Sequence, residues 1–446
     1  MNPQQPTKNV TRKLKIGVVS LGCAKNLVDT EVLLRQLDAD KFNVVIDPPD
    51  SASLDYALIN TCGFIRDAKQ ESVDTILRFT QAKQSGLIKK VFVMGCLSQR
   101  YNSQLSQEIP EVDAFFGIGE LRKIVNSLGG NYRNELLGER KITTPSHYAY
   151  LKIAEGCDRK CSFCAIPMIR GKHISRPMEE ILQEAKLLVQ KGVRELIIIS
   201  QDTTYYGLDL GKKRMIAPLL ENLAKIQGLE WIRLQYTYPD GFPPDLLEVM
   251  KNSPNICRYI DIPLQHTSDR ILKSMHRNIT GKKSMALIRN IRKNIPEAAI
   301  RTTFIVGYPG ETKQEFAELQ NFVRELRFER MGVFTYSHEE DTDAFHLKDN
   351  ISQKIKKERA LKLMNLQEDI SLQLNKEKVG SIQKVLIDSL DPEYYIGRTE
   401  MDSPEIDNEV FIKRSNNTLQ IGTFYQVKIV EAGSFELFAE PILLNI

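Results

Sequence analysis

The stretch Gly156-Cys157-Asp158-Arg159-Lys160-Cys161-Ser162-Phe163-Cys164 sets three cysteines in a CxxxCxxC spacing. Three thiolates cannot complete a four-iron cluster. Each of its corner irons needs a ligand, and the clusters of pure electron carriers use four cysteines. One iron is left open to bind something else, by the logic that gives a catalytic zinc its empty position. The competing reading is a structural zinc knuckle, for which His173 is the nearest candidate fourth ligand.

Outward from this loop, the chain alternates strand and helix. Strands are expected at 148–154, 195–200, 231–236, 259–263, 300–306 and 332–336, with helices such as 178–191, 281–293 and 313–326 between them. Six such units suggest a partial TIM-like barrel. Active groups in these barrels sit at strand C-termini, and Cys157 follows the first strand directly. Upstream, 14–20, 56–60 and 90–95 read as buried parallel strands, with helices at 26–37, 67–84 and 98–109, a doubly wound α/β pattern. Each of these strands ends at a cysteine: Ser20-Leu21-Gly22-Cys23, Asn60-Thr61-Cys62-Gly63 and Met94-Gly95-Cys96-Leu97. Open parallel sheets bind ligands at strand carboxyl ends, so thiols distant in sequence would meet at one edge as a second three-cysteine cluster. Three unrelated buried thiols are the plainer alternative. Cys257 fits neither set and reads as a buried, inert thiol.

Residues 129–147 look like a linker, and 351–380 like a long charged helix or helix pair. The run of Lys354, Lys356, Lys357, Glu358 and Arg359 reads as a solvated face. The tail changes character: strands at 383–389, 394–399, 409–413, 424–430 and 435–441 suit a small barrel of the OB type. A chain of 446 residues has room for two or three domains, and its formal charge is nearly balanced at +4. The opening is polar and no apolar run approaches about 18 residues, so neither a signal peptide nor a membrane span is expected. Seven cysteines in such a chain point to a reducing cytoplasm rather than a disulfide framework.

The CxxxCxxC loop resembles the signature of the radical S-adenosylmethionine (SAM) superfamily, in which the open iron chelates SAM and an electron from the cluster splits it to a 5′-deoxyadenosyl radical. The three regions together resemble the methylthiotransferase family. They correspond to a cluster domain at 12–128, a radical SAM core at 143–376 and a TRAM domain at 377–446. Within that family, Ser20-Leu21-Gly22-Cys23-Ala24-Lys25-Asn26-Leu27-Val28-Asp29-Thr30-Glu31, Ser200-Gln201-Asp202-Thr203-Thr204-Tyr205-Tyr206-Gly207, Tyr238-Pro239-Asp240-Gly241 and Gly397-Arg398-Thr399-Glu400-Met401-Asp402-Ser403-Pro404-Glu405-Ile406-Asp407 are similar to the branch that modifies an aspartate of small-subunit ribosomal protein twelve (RimO-like). Ala24 and Thr30 depart from that branch's usual Pro and Ser.

The resemblance implies two 4Fe-4S clusters, on Cys23, Cys62 and Cys96 and on Cys157, Cys161 and Cys164. It also implies SAM as both radical source and methyl donor, with methylthiolation of the aspartate β-carbon as the reaction. It assigns Phe163, Gln201, Asp202, Arg301, Val306 and Gly307 to SAM binding, and no catalytic residue beyond the clusters. Flavodoxin or ferredoxin would supply electrons. The alternatives are the same chemistry on a tRNA adenosine (MiaB-like), or an iron–sulfur ribosome- or RNA-binding protein without catalysis. Charge bears on the choice independently. From Glu377 onward six basic residues face twelve acidic ones, a net of −6. An RNA-gripping barrel needs the opposite sign, whereas an acidic one suits a basic ribosomal protein, leaving RNA contact possible but not favoured.

Overall fold

Apolar runs too short for helices and buried on both faces become neighbouring parallel strands. In the computed structural model, which describes residues 13–40, 42–136, 138–414 and 418–442, this gives two units, Met1–Lys141 and Ile142–Ile446. In the first, Leu14–Ser20 (β1), Phe42–Ile46 (β2), Leu54–Thr61 (β3), Ile88–Gly95 (β4) and Ala114–Phe115 (β5) form a parallel sheet in the order β2-β1-β3-β4-β5. Helices Ala24–Asp38 and Leu121–Ser127 cover one face through Leu33, Leu34, Leu37, Ile124 and Val125. Helices Arg66–Gln84 and Cys96–Glu108 cover the other through Ile76, Phe79, Leu97 and Leu105. The expected doubly wound pattern is present, and strand order reverses between β1 and β3, where such sheets open a crevice for ligands. The edge strand β2 and the two-residue β5 escape the sequence reading. β2 is largely half-exposed and lacks the continuous apolar run of its neighbours.

In the second unit, Tyr148–Lys152 (β6) is followed by a small antiparallel pair, Ala154–Glu155 (β7) with Ile174–Ser175 (β8). Glu195–Ile199 (β9), Trp231–Leu234 (β10), Ile256–Asp261 (β11), Ala299–Val306 (β12) and Arg330–Thr335 (β13) then complete an open parallel sheet in the order β13-β12-β11-β10-β9-β6. Alternate residues divide the labour. Ile232, Leu234, Ile260, Ile300 and Phe304 join the core under the helices. Arg233, Tyr259, Asp261 and Arg301, on the other face, carry polar groups.

Ile382–Leu390 (β14), Tyr394–Thr399 (β15), Glu409–Lys413 (β16), Phe424–Ala432 (β17) and Glu436–Pro441 (β18) close a barrel in the order β14-β15-β16-β18-β17. Asp402, Ser403, Pro404 and Asn408 of the β15–β16 connection are buried, while Glu405 and Ile406 stay exposed. Arg233 donates to Glu400 O at 2.7 Å, Gln235 to Ser403 Oγ at 2.6 Å, Tyr259 to Asp407 at 2.7 Å and Arg330 to Asp402 at 2.7 Å. Below it Glu195, fully buried, accepts from both Arg233 and Arg398 at 2.8 Å. Burial alone would raise the Glu195 carboxyl, but Arg398 and Arg233 outweigh it and hold it below the ordinary carboxylate range.

The run at 354–359 is not simply a solvated face. It opens the single helix Gln353–Lys376, in which Lys356 is fully buried, with Nζ 2.6 Å from Asp349. Arg359 donates to Glu311 at 2.8 Å. Both charges turn inward because each has a carboxylate to meet, Glu311 buried and Asp349 half-buried. Among the described residues no helix is long and apolar enough to cross a membrane.

Candidate functional site: two three-cysteine sets

In the first unit the three cysteines stand on three loops at the C-terminal ends of β1, β3 and β4. Cys23 caps the start of helix Ala24–Asp38, and Cys96 is the first residue of helix Cys96–Glu108. A helix N-terminus presents unpaired backbone N–H groups and the positive end of its dipole, which suits an anionic iron–sulfur assembly. The glycines beside the cysteines let the loops touch. A Cβ on Gly22 would lie 2.8 Å from that of Cys62, and Gly95, at φ 101°, would put one 2.2 Å from Asn60 Oδ1. One buried side chain ties all three loops. Asn26 donates to Leu21 O at 3.1 Å and Thr61 O at 3.0 Å, and its Oδ1 lies 3.4 Å from Cys96 Sγ. Asn60 returns a bond to Asn26 O at 2.9 Å. The sequence reading missed Asn26, since an asparagine two residues into a helix carries no signal of what it will bridge.

In the second unit the β7–β8 pair staples the cysteine loop at its base. Cys157 N donates to Gly171 O at 3.0 Å, and Cys164 N to Cys161 O at 3.1 Å closes a turn between the last two cysteines. Asp202 is buried at the end of β9 and accepts from Arg159 of the same loop at 2.8 Å. Arg159 and Arg277 lie against the ring of Tyr238, at 3.8 and 4.1 Å from its centroid. Arg277 Nη1 stands 3.7 Å, and Tyr238 Oη 3.9 Å, from Cys161 Sγ. Burial pushes the Cys157 thiol up to about 11 and raises Cys164 as well, so bound iron must displace a proton from each.

Beside the loop, the strand ends carry buried polar atoms without a hydrogen-bond partner: Ser200 Oγ and Gln201 Oε1 after β9, Gln265 Oε1 and Thr267 Oγ1 after β11. Two residues here, Tyr236 at φ 58° and Gln265 at φ 73°, hold left-handed backbone that side chains rarely adopt. Unsatisfied buried donors and acceptors beside three thiols fit a polar cofactor such as SAM. Gly307, at φ 73°, donates to Glu311 and follows the buried Val306, while Phe163 packs beside Tyr308 and Tyr336. Arg301 is committed elsewhere, 3.3 Å from both Asp261 and Asp407.

Some neighbours depart from expectation. Arg170 and Arg176 pair with Glu155 and Glu184 at 2.7 Å, while Lys172 is exposed. His173 is buried, with Nε2 3.1 Å from Ser175 Oγ and its ring over Tyr205. Among the described residues no three His, Cys, Asp or Glu side chains converge as ligands of one ion would, and a cluster does not require it, since each cysteine addresses a different iron. Cys257 is buried between Trp231, Tyr259 and Leu386, its thiol pushed up to about 12 by burial.

Comparison with known proteins adds a second line. The radical SAM superfamily matches residues 151–323, the uncharacterized protein family UPF0004 residues 15–117, and the TRAM domain residues 379–442. The ribosomal protein uS12 methylthiotransferase RimO of Christiangramia forsetii is 54% identical, across 97% of this chain and 95% of its own. Those of Cytophaga hutchinsonii and Bacteroides fragilis are 53% and 51% identical, each over 97% of this chain and over 98% and 100% of their own. Among solved structures, the radical SAM methyltransferase TsrM of Kitasatospora setae, with cobalamin and a [4Fe-4S] cluster bound, aligns with a TM-score of 0.54 at 14% identity, covering 84% of this chain and 81% of that one. The cobalamin-dependent radical SAM enzyme OxsB aligns at 0.52 and 14% identity, over 80% and 56%. At that identity the two structures speak for the fold alone.

Proposed function

The chain belongs to the RimO family of ribosomal protein uS12 methylthiotransferases, and on that premise we propose that it acts on the β-carbon of a uS12 aspartate, using two four-iron clusters of three cysteines each. It is a radical SAM transferase that methylthiolates uS12. The finer assignments are ours. Cys157, Cys161 and Cys164 hold the cluster that binds SAM, and Cys23, Cys62 and Cys96 hold the cluster that carries sulfur. When bound, the two clusters and SAM supply a carbon-centred radical and a methylthio donor, which an unactivated C–H bond requires.

The protein's own part is placement. Gln201, Val306, Gly307 and Phe163 line the cofactor. Asp202, assigned to SAM binding, also accepts from Arg159 and so helps set the cysteine loop. Arg301 braces the site from between two carboxylates. Arg277 and Tyr238 place a positive charge and a hydroxyl beside Cys161, where they temper the cluster's negative charge. The cluster domain is assigned to 12–128, the core to 143–376 and the TRAM domain to 377–446; within them residues 12, 41, 415–417 and 443–446 lie outside the described residues.

The observation that carries this reading is the Asn26 tie. Three thiols far apart in sequence are held at one sheet edge by a side chain that bonds all three loops, an arrangement unrelated core cysteines do not need. The outer face of the TRAM barrel supports a protein partner, though less simply than its net charge suggests. Asp388, Asp402 and Asp407 turn inward to arginines. The rings of Tyr394, Phe411 and Phe438 cluster on the side opposite the barrel core, flanked by Glu409 and Glu436, which are paired in register. Adjacent like charges cost stability, and such a rim repels phosphate while attracting a basic protein. Flavodoxin or ferredoxin is the proposed electron donor, and the cytoplasm the proposed setting.

The test is an anaerobic reaction of reconstituted enzyme, SAM and dithionite with uS12 and, separately, with hypomodified tRNA. A gain of about 46 Da on a uS12 aspartate, the net addition of SCH2, supports the proposal. The same gain on tRNA with uS12 untouched moves the enzyme to the other substrate.

A further inference from the structure

The connection between β15 and β16 does more than join two strands. Asp402, Ser403 and Asn408 are almost wholly buried, and Asp407 reaches the polar face of the open sheet. There a continuous line of contacts runs toward the cysteine loop. Asp407 Oδ2 accepts from Tyr259 Oη at 2.7 Å and from Ser403 N at 3.0 Å, while its Oδ1 lies 3.3 Å from Arg301 Nε. The other end of the same guanidinium, Nη1, meets Asp261 Oδ1 at 3.3 Å. Asp261 ends β11, and its Oδ2 accepts the backbone N–H of Tyr236 at 3.0 Å. Its main-chain oxygen accepts from Thr237 N at 2.9 Å and Thr237 Oγ1 at 2.6 Å. The next residue is Tyr238, whose hydroxyl stands 3.9 Å from Cys161 Sγ between two arginines.

Tyr236 holds φ 58°, a left-handed conformation that persists in a non-glycine residue only where the surroundings impose it. The bond from its N–H to Asp261 is such a constraint, and Asp261 is itself oriented by Arg301. A lone guanidinium on the polar face would be free to take other rotamers. Two carboxylates on opposite sides, one from β11 and one from the C-terminal barrel, leave it one position.

We propose that Asp407 is a positioning residue for the cofactor site. Acting through Arg301 and Asp261, it fixes the Tyr236–Thr237–Tyr238 strand end against the cysteine loop. The C-terminal barrel is then part of the apparatus that cleaves SAM, in addition to any role in holding uS12. This rests on the assignment of Cys157, Cys161 and Cys164 as the SAM-binding set.

The test uses full-length, iron-loaded Asp407→Asn, which keeps an acceptor for Tyr259 but removes the charge facing Arg301. SAM cleavage is measured without uS12, as 5′-deoxyadenosine formed, so that substrate docking does not enter. The expected result is a fall of about 3- to 10-fold in turnover over KM for SAM, with iron content and uS12 affinity unchanged. SAM should also perturb the electron paramagnetic resonance signal of the reduced cluster differently from wild type. Asp261→Asn should give the same defect from the other end of the line, and the double variant should be no worse than the weaker single, because both break one connection. If Asp407→Asn fails to load iron, Tyr259→Phe removes one donor to the same carboxylate and carries the same expectation at smaller size. Wild-type kinetics and an unaltered signal in the variant that loads, or a double variant whose losses multiply, overturn the proposal. A wild-type enzyme that makes no 5′-deoxyadenosine would instead overturn the cluster assignment beneath it.

Discussion

The two cysteine sets solve one problem in opposite ways. Cys157, Cys161 and Cys164 are contiguous, and local backbone bonds within residues 157–171 already bring them together. Cys23, Cys62 and Cys96 come from three loops of a parallel sheet, and their meeting depends on strand order, on glycines that let loops approach and on Asn26. The contiguous set is specified by spacing; the dispersed set is specified by topology. Their bracing differs accordingly. One neutral side chain ties the dispersed set, whereas the sheet carrying the contiguous set is braced by buried ion pairs with the C-terminal barrel.

The largest expected effect comes from replacing Cys157, Cys161 and Cys164 together with alanine. SAM cleavage and methylthiolation should both vanish, with about four irons per chain remaining. Loss of all iron would show that the dispersed set cannot load alone. Next, Asn26→Ala should lower methylthiolation about 10- to 100-fold while SAM cleavage stays within two-fold, the range expected when a residue that orients metal ligands is removed. Equal losses in both activities would show that the two sets are not braced independently.

Asp402→Asn probes the other brace. Removing the carboxylate strands the buried Arg330, which should cost about 3 kcal/mol at pH 7, read as a lower melting temperature of the second unit. The sign with pH is fixed. Burial would raise the Asp402 carboxyl, but Arg330 and Lys378 hold it below the ordinary range. Its contribution is therefore present at neutral pH and is lost as pH falls through that depressed value, so the variant and wild-type curves should converge in acid. Glu195 and Asp388 act in the same direction, while Asp407, raised by burial, opposes them. The smallest effect is expected for Lys172→Gln, which should leave both activities within two-fold because Lys172 is exposed.

Much of the fold was legible because apolar runs and breakers alternate cleanly, and the strand-ending cysteines were visible as repeated Gly-Cys or Cys-Gly steps. What escaped were partners. Lys356 and Arg359 read as solvent-facing because a charge run says nothing of Asp349, or of Glu311 far off in sequence. Asp402 and Asp407 entered only as part of the tail's net charge, since their arginine partners, Arg330 and Arg301, lie on other strands. Arg301 stood near a strand end and so resembled a cofactor contact, yet its register turns it toward two carboxylates. Tyr238 lay within a recognised motif and Arg277 within none, and only the fold brings both beside Cys161.

The most direct test of two clusters with separate duties is the variant in which Cys23, Cys62 and Cys96 are all alanine, given SAM, dithionite and uS12. It should retain about four of about eight irons and still form 5′-deoxyadenosine, but leave uS12 at its unmodified mass. Methylthiolated uS12 from that variant would contradict the account, because the sulfur would then have come from somewhere other than the cluster the dispersed cysteines hold.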